Sequence, residues 1–345
     1  MKENRPKKFM KSFPVGKLPH DMLERMLSDY VSDDPRVVVG PRVGEDATVI
    51  DMGESLLVAK SDPITFAAEQ IGWYAVNVNA NDIASMGATP RWFLATILLP
   101  EGKANEELVE SIFRDLADSC AALGITLCGG HTEITHGIDR PILAGQMLGE
   151  VERERLVTSS GAEPGDALLL TKGIAVEGTA ILALEKAEEI RERVPEETIQ
   201  RASQFLKAPG ISVVPDAQAL CETCRPKAMH DPTEGGLATA LREIAIASEV
   251  GLLIEEDQVP VFPETVQLCD CFGIDPWGLI ASGALLAAVG NDDTVRAIEA
   301  LGARGIQCRR IGEVMDRDFG LKLSSNGSER DLPKFETDEL GKVFS

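Results

Sequence analysis

The sequence predicts a two-domain protein in which an α/β domain precedes a second domain that mixes strands and helices. A chain of 345 residues is longer than one simple hydrophobic core usually accommodates. Apolar segments of strand length alternate with helical segments, and polar residues stand at the strand ends. The segment 152–165 is polar and contains Ser, Gly and Pro, which marks a boundary. We expect an N-terminal arm and helix over 1–36, a first domain over 37–155 and a second over 156–345.

Hydrophobic periodicity and turn residues divide the first half into strands and helices. The most apolar helix lies in the stretch Ile71 to Arg91, where Gly72 opens the helix and Gly87 stands at the expected C-terminal cap. The other expected elements are helices over Pro19–Tyr30 and Asn105–Leu123, and strands over Val37–Val39, Ala47–Ile50, Ser55–Lys60, Trp92–Leu99, Ile125–Cys128 and Pro141–Val151.

The second half is expected to begin with the buried strand Ala167–Thr171 and the loop Lys172-Gly173. Further on, Asp231-Pro-Thr-Glu-Gly235-Gly236 opens a helix whose first backbone N–H groups could face an anion, although a plain capped helix is commoner. The remaining expected elements are helices over Val176–Lys186, Glu196–Lys207, Pro215–Arg225, Leu237–Ser248 and Asp293–Gly302, and strands over Leu252–Glu255, Gly283–Val289 and Gln307–Val314.

Composition and charge restrict the partners and the compartment. The formal net charge of −22 argues against nucleic acid or an anionic membrane, although Mg²⁺ can bridge acidic side chains to a nucleotide. No apolar run approaches the length that spans a bilayer. The basic N-terminus lacks the apolar region of a secretory signal, so we expect a disordered arm. Seven scattered cysteines fit a reducing cytoplasm better than a disulfide framework.

Four polar residues interrupt the apolar central helix, namely Asn77, Asn79, Asn81 and Asp82. Asn and Asp are poor helix-interior residues because their side chains compete for backbone hydrogen bonds. Asn79 and Asp82 are three positions apart and share a face. A carboxylate beside amides suggests a cation or a phosphate-bound metal, since oxygen ligands suit Mg²⁺. The alternative is a polar stripe that hydrogen-bonds a neighbouring element.

Charged residues also stand at strand ends, where α/β proteins commonly place functional side chains. Asp46, next to Glu45, precedes one strand and Asp62 ends another, although each could simply form a turn. Lys60 and Lys172 lie beside the Asp62 turn and a glycine loop. Either lysine could neutralise phosphate charge or remain a solvated surface residue.

Cysteine and histidine groups give weaker signals. Two cysteine pairs could together supply four thiolates to zinc or an iron–sulfur cluster, but the first lies in a predicted helix without a knuckle glycine. These pairs are Cys221 with Cys224 and Cys269 with Cys271. A looser group lacks a fourth ligand and consists of Cys128, His131 and His136. On chemistry alone the candidate general bases are His131, Glu133 and His230.

Five motifs in order resemble those of one superfamily. They are Gly44-Glu-Asp46-Ala, Ser61-Asp62, Asn81-Asp82-Ile-Ala-Ser-Met-Gly-Ala, Gly129-Gly130-His131-Thr132 and Asp231-Pro-Thr-Glu-Gly235-Gly236-Leu. The superfamily contains aminoimidazole ribonucleotide (AIR) synthetase, selenophosphate synthetase, thiamine-monophosphate kinase and the hydrogenase-maturation protein HypE. The motif Asp231-Pro-Thr-Glu-Gly-Gly-Leu237 and the segment Ile311-Gly-Glu-Val314, where the match ends, look most like HypE. The resemblance spans about Gly40 to Val314.

The resemblance implies the fold, the cofactors and the site. It implies α/β and α+β domains in the two-domain AIR synthetase-like fold, with the N-terminal sheet forming a barrel shared within a homodimer. ATP and Mg²⁺ would bind between the protomers. Asp46, Asp62 and Asp82 match the acidic residues that hold metal and triphosphate. Other positions matching the nucleotide site are Asn79, Asn81, Gly129, Gly130, Asp231, Gly235 and Gly236.

Departures from the family point to a changed acceptor. HypE ends in a cysteine that carries the group to be dehydrated, whereas this sequence ends in Ser345. No cysteine precedes Cys120, so the catalytic Cys/Sec–Lys segment of selenophosphate synthetase has no counterpart. Glu177 replaces a histidine of HypE. We therefore expect a HypE-like AIR synthase-related protein that keeps the fold and the ATP site.

Phosphoryl transfer asks mainly for positioning and charge neutralisation, which dispersed carboxylates with Mg²⁺ supply without a Walker-type loop. We expect an enzyme that transfers the γ-phosphoryl group of ATP to an amide or acid oxygen of a small-molecule or protein-borne acceptor. Its candidate catalytic residues are Asp46, Asp82 and His131, and Lys60 is a candidate nucleotide contact. The alternatives are an ATP-binding dimeric accessory protein without turnover and a small-molecule kinase.

Overall fold

Two open β-sheets organise the chain. The computed structural model describes residues 18, 20–32, 34–42, 44–65 and 69–344, and the expected disordered arm lies outside these ranges. The first sheet uses strands between residues 37 and 151, and the second uses strands between residues 167 and 331. Across the described ranges no helix combines the length and apolarity needed to cross a bilayer.

The first sheet has six strands in the order β1-β2-β3-β6-β4-β5. Strands β4 and β5 are parallel and are joined by α3, whereas the other neighbours are antiparallel. The strands are β1 (Val37–Val39), β2 (Thr48–Asp51), β3 (Leu56–Ile64), β4 (Thr89–Pro100), β5 (Thr126–Thr135) and β6 (Ile142–Val151), and the helices are α1 (His20–Tyr30), α2 (Ile71–Ser85) and α3 (Glu106–Leu123).

Helix α2 is the buried axis of the first domain and carries the predicted polar residues. It packs against β3, β4 and β6 on one side and against α3 on another. Nearly all of its residues are buried, as expected for a helix that is apolar on every face. A Cβ on Gly72 would lie 2.8 Å from the Ile112 carbonyl oxygen, so the glycine allows α2 to approach α3 closely. This packing fixes the orientation of every side chain on α2.

The second sheet has seven strands in the order β13-β12-β9-β11-β7-β10-β8. Its strands are β7 (Ala167–Thr171), β8 (Ala228–His230), β9 (Gly251–Glu255), β10 (Leu286–Val289), β11 (Cys308–Met315), β12 (Leu321–Ser325) and β13 (Ser328–Asp331). Its helices are α4 (Val176–Glu185), α5 (Ala187–Ile190), α6 (Glu196–Ser203), α7 (Val214–Thr223), α8 (Gly236–Ser248), α9 (Pro263–Phe272), α10 (Thr294–Ala303) and α11 (Gly341–Phe344). Strand β8 and helix α7 contact α2, so the two domains meet along that helix.

The structure corrects several predicted elements. Strand β5 continues past the predicted end at Cys128 as far as Thr135, because Gly130 lets it approach β4. There a Cβ would lie 1.9 Å from the Ala95 oxygen, and Gly130 has a φ of +145°. The predicted helix 196–207 ends at Ser203 and a separate turn with Pro209 follows. Elements without a sequence prediction include α9, β8, β12 and β13.

The first sheet is not closed within one chain. Among the described residues, β1 and β5 are its edge strands, and neither has a second neighbour. The expected barrel therefore is not present in a single chain.

Candidate functional site

A buried ion pair links α2 to the first sheet. Asp82 is 4% exposed, and its Oδ1 accepts a hydrogen bond from Lys60 Nζ at 3.0 Å. Lys60 Nζ also lies 3.5 Å from Asp62 Oδ2, and both residues face α2 from β3. The second carboxylate oxygen of Asp82 has no hydrogen-bond partner among the described residues. One lysine therefore stands between two carboxylates, and one buried oxygen of Asp82 lacks a hydrogen-bond partner among the described residues.

A buried histidine connects the two domains beside this pair. His230, at the end of β8, places Nδ1 2.5 Å from Asp46 Oδ1 and Nε2 2.8 Å from Glu243 Oε2. Asp46 belongs to the first domain, and Glu243 lies on α8 of the second. Because both ring nitrogens face carboxylates, His230 serves to hold Asp46 in place. The other oxygen of Asp46 is buried and has no partner in the described structure.

Asp231 completes the group, which we call the carboxylate cluster: Asp46, Asp82 and Asp231, with Lys60 and His230. Asp231 is 1% exposed, and neither of its oxygens has a partner in the described part of the chain. One atom from each of Asp46, His230 and Asp231 lies within 4.8 Å of the others, a grouping that could hold a metal ion. Buried carboxylate oxygens without donors fit a hard divalent cation such as Mg²⁺.

Electrostatics in the cluster favour an added positive charge. Burial raises the pKa of Asp82 to about 8, and the negative charges of Asp62 and Asp46 add to this against the pull of Lys60. Burial, followed by the charges of Asp82 and Asp46, also holds the pKa of Asp231 well above its usual range. Burial alone would lower the pKa of Lys60, yet the surrounding carboxylates raise it. The carboxylates outnumber the cations, so a bound divalent ion would lower these carboxyl pKa values.

Two asparagines of α2 bind protein backbone. Asn79 Oδ1 accepts from the Asp62 N–H at 2.9 Å, and its Nδ2 donates to the Ala75 carbonyl at 2.8 Å. Asn81 Nδ2 donates to the Ile211 carbonyl and its Oδ1 accepts from the Val213 N–H, each at 2.8 Å. The polar-stripe interpretation is therefore confirmed for both residues. Asn79 fixes β3 beside α2, and Asn81 fastens the second domain to α2.

At the start of α8, the backbone of Gly235 binds a carboxylate of the same chain. The Gly235 N–H donates to Asp338 Oδ2 at 2.7 Å. Gly235 and Gly236 have φ values of +80° and +63°, a conformation that glycine adopts without strain. Asp338 belongs to the C-terminal segment, which thus covers this helix start. Asp231 precedes the same turn and points its carboxylate into the cluster.

The β5 residues lie away from the cluster within one chain. Gly130 and Asp62 occupy one row across the first sheet, separated by three strand spacings of about 4.8 Å each. His131 is the next residue along β5, so its side chain emerges on the opposite face from Asp62. It lies 3.2 Å from Glu133 and is largely exposed. The nucleotide and catalytic roles of Gly129, Gly130 and His131 remain predictions.

The cysteines form no metal group in the described ranges, where the only candidate grouping is the one in the carboxylate cluster. All seven thiols are free. Burial raises the pKa of Cys221 and Cys224 to about 11 and of Cys269 to about 12, which disfavours the thiolate that zinc requires. Lys172 also lies elsewhere, 3.1 Å from Asp216.

Glu243 is the site residue that sequence reasoning missed. It lies seven positions after Gly236 on a largely apolar helix, which places it two turns along nearly the same face. A single acidic residue on the inward face of an apolar helix is the signal that would have found it. His230 is a candidate base, and its Nδ1 and Nε2 lie 2.5 Å from Asp46 Oδ1 and 2.8 Å from Glu243 Oε2; the role of base remains a prediction.

The fold and this interdomain cluster define a class of two-domain proteins, and the match to family models identifies it. Residues 44–151 match the N-terminal domain of AIR synthase related proteins, and residues 163–323 match the C-terminal domain. The chain belongs to the AIR synthase-related family.

Several of the individual relatives are named HypE. The chain is 31% identical over 287 residues to a carbamoyl dehydratase HypE from Cupriavidus necator, covering 81% of this chain and 78% of the relative. A HypE–HypF complex gives a TM-score of 0.74 at 23% identity, covering 91% of this chain and 99% of the HypE-like chain. HypE in complex with ATP gives 0.71 at 24%, covering 92% and 95%.

Proposed function

We propose that this protein is an ATP- and magnesium-dependent enzyme that transfers the γ-phosphoryl group of ATP to an amide or acid oxygen of a second substrate. One observation carries the proposal: four buried carboxylate oxygens of Asp46, Asp82 and Asp231 lack protein partners beside Lys60. The HypE relative is named a carbamoyl dehydratase, and a neighbour of the same fold binds ATP. Both support a nucleotide-dependent reaction at this cluster.

Each cluster residue has a defined role in this proposal. Asp46, Asp62, Asp82 and Asp231 hold Mg²⁺, which when bound neutralises phosphate charge and orients the γ-phosphoryl group. Lys60 lies between Asp62 and Asp82, reduces the repulsion between their carboxylates and adds positive charge next to the metal ligands. His230 engages one oxygen of Asp46 and leaves the other directed toward the metal. The acceptor, small or protein-borne, supplies the oxygen that attacks phosphorus.

We propose a homodimer on the basis of the first sheet. Its face opposite α2 is only half-buried although it carries apolar side chains, and strand β5 is exposed along most of its length. The apolar residues of this face include Leu57, Leu94, Leu98, Ala144 and Leu148. A second copy would cover this face and pair the free β5 edge, giving the shared barrel and bringing His131 and Gly130 near the partner's nucleotide.

We also propose the compartment and the domain limits. Seven free thiols support a reducing compartment, and we place the protein in the cytoplasm. The domain limits proposed are 37–155 and 156–345.

Calorimetry and product analysis test the function together. The protein is titrated with ATP in the presence of Mg²⁺ or of a chelator. ADP formation is then followed with small amides, carboxylates and thiamine monophosphate as acceptors. Mg²⁺-dependent uptake and acceptor-stimulated ADP release are expected. Binding without release under any acceptor would support the accessory-protein alternative, and absence of nucleotide uptake would overturn both.

A further inference from the structure

A cavity of about 520 Å³ lies between the two domains, along a part of α2 that differs from the carboxylate cluster. Trp73 and Asn77 of α2 form one wall. The other walls come from the second domain, from segments 206–216 and 304–306 together with Lys172. We call this cavity the Lys172 pocket. None of the carboxylate-cluster residues lines it.

The floor of the Lys172 pocket is polar and only partly satisfied. Lys172 Nζ donates to the Ser212 carbonyl at 2.6 Å and lies 3.1 Å from Asp216 Oδ2. Asp216 is 1% exposed, and its Oδ1 has no partner among the described residues. The Ser212 hydroxyl is also buried and without a partner there. Ser212 and Asp216 both line the cavity, so a buried carboxylate oxygen and a buried hydroxyl at its floor lack hydrogen-bond partners within the described chain.

The walls and the rim add apolar surface and positive charge. Trp73, Leu206 and Ile306 contribute apolar area, including one indole ring. Lys207 and Arg304 stand exposed at the rim, and Arg304 pairs with Glu222. Lys172 and Asp216 balance each other, so Lys207 leaves the pocket with a net positive charge. This is unusual in a chain of net charge −22, and it favours an anion.

We propose that the Lys172 pocket binds a small, planar organic anion that also carries an N–H donor. The N–H group donates to Asp216 Oδ1 and the Ser212 hydroxyl, the anionic group lies near Lys207 and Arg304, and the body packs against Trp73. A carboxamide with a carboxylate or phosphate at its other end satisfies all three requirements. Because Trp73 and Asn77 come from one domain and Ser212 and Asp216 from the other, the ligand holds the two domains together.

This inference does not depend on the proposed function. Asn77 and Asp82 are five positions apart on α2, which is about 7.5 Å along the helix axis and more than a quarter-turn around it. The carboxylate cluster and the pocket therefore use different surfaces of α2. Binding in the pocket and nucleotide binding can be measured and abolished separately.

Three matched probes test the ligand class by calorimetry on the full chain. They are 4-carbamoylbenzoate, terephthalate (which lacks the N–H donor) and benzamide (which lacks the anion). We expect saturable binding of 4-carbamoylbenzoate with quenching of Trp73 fluorescence, and at least about tenfold weaker binding of the other two, because each leaves a charged or buried partner unsatisfied.

Variants assign the binding to this pocket. Lys207→Ala is exposed and should weaken 4-carbamoylbenzoate binding about tenfold, and Ser212→Ala about threefold. Lys334→Ala removes an exposed lysine elsewhere and should leave the affinity unchanged, as should Asp82→Asn. Failure of 4-carbamoylbenzoate to bind, equal binding of all three probes, or affinity unchanged by Lys207→Ala would overturn the proposal. Nucleotide binding measured on the same samples reports separately on the proposed enzyme.

Discussion

Two lysines near different parts of α2, the partly buried Lys60 and the buried Lys172, have opposite surroundings. Lys60 has three carboxylates near it, and their charges raise its pKa despite burial. Lys172 has one carboxylate, Asp216, and burial lowers the pKa of Lys172 because that single partner does not compensate for the lost water. Lys60 lies within β3 and Lys172 directly follows β7, and from the sequence both looked equally able to neutralise a phosphate. The number of carboxylates around each lysine distinguishes the two regions.

The difference determines what each region requires from a ligand. Around Lys60 the negative charges exceed the positive ones, so a cation improves the site. Around Lys172 the charges of the Lys172–Asp216 pair cancel, so the buried oxygen of Asp216 needs a neutral N–H donor. The positive charge at the rim favours an anion. A buried lysine beside a carboxylate therefore does not by itself identify a phosphate site.

The largest expected effect comes from replacing Asp82, the buried carboxylate on α2. Asp82→Asn should lower ATP turnover at least about 100-fold, the scale of losing one preorganised electrostatic contact. Asp216→Asn is the matched control, since it also removes a buried carboxylate paired with a lysine, and turnover should persist. The measurement is ADP formation at saturating Mg²⁺, with circular dichroism to verify folding. Equal turnover in wild type and Asp82→Asn would remove Asp82 from the catalytic site.

Magnesium should stabilise the cluster and not the pocket. A ligand at one hundred times its Kd adds about 2.7 kcal/mol to the free energy of unfolding. We expect a rise of that order when Mg²⁺ replaces chelator in the wild type. Thermal denaturation of Asp231→Asn should show little of this rise, whereas Asp216→Asn should retain it. A rise of equal size in Asp231→Asn would place the metal elsewhere.

Stability in chelator should fall as pH rises from about 5 to 8. The carboxyls of Asp82 and Asp231 have raised pKa values in the folded protein. For each group, at a pH between its pKa in the unfolded chain and its pKa in the folded protein, the folded state therefore binds more protons than the unfolded chain. The unfolding free energy then decreases with pH by about 1.4 kcal/mol per unit for each such proton.

Of the two neighbouring cations, only His230 contributes to this profile. His230 has a raised pKa, so its contribution is present at low pH and is also lost on going up. Lys60 stays protonated in both states throughout this range. Denaturant titrations across pH, with and without Mg²⁺, give the slope, and Asp82→Asn should flatten it. A slope that is unchanged by both Mg²⁺ and Asp82→Asn would refute the assignment to the cluster.

Sequence patterns located the cluster because its members break local rules. Asp82 interrupts an apolar helix, and Asp46 and Asp231 stand where turns meet regular elements. The same patterns could not separate Asp82 from Asn81, because adjacent positions on a helix point about 100° apart and only tertiary packing decides what each faces. Glu243 escaped for a similar reason. Its importance arises from its contact with His230 at the end of β8, which the sequence pattern of α8 alone does not reveal.

The secondary structure could also be predicted only in part from the sequence. Strand Ala167–Thr171 and helix α3 are apparent from periodicity, since both bury a continuous or one-sided apolar set. The extension of β5 through Gly129 and Gly130 was not apparent, because glycine weakens a strand pattern. The glycine at 130 is needed because β5 approaches Ala95 of β4 closely there, which the sequence does not show. Contacts between strands distant in sequence leave little local signal.

The smallest expected effect concerns Asn81, which links the two regions. Its amide bonds Ile211 and Val213 on either side of Ser212, whose carbonyl accepts from Lys172. Asn81→Ala should cost about 2 kcal/mol of unfolding free energy, because two buried backbone groups lose their partners. Asn77→Ala is the control and should cost less, since the Asn77 side-chain amide donates to Trp73 on the same helix. Chemical denaturation gives both values. If Asn81→Ala also weakens 4-carbamoylbenzoate binding several-fold while the Mg²⁺-induced stabilisation persists, the pocket depends on the position of segment 211–213 and the cluster does not. If Asn81→Ala reduced both the 4-carbamoylbenzoate affinity and the Mg²⁺-induced stabilisation to the same extent, α2 would be transmitting the displacement of segment 211–213 to the cluster. The Lys172 pocket and the carboxylate cluster would then be one coupled site.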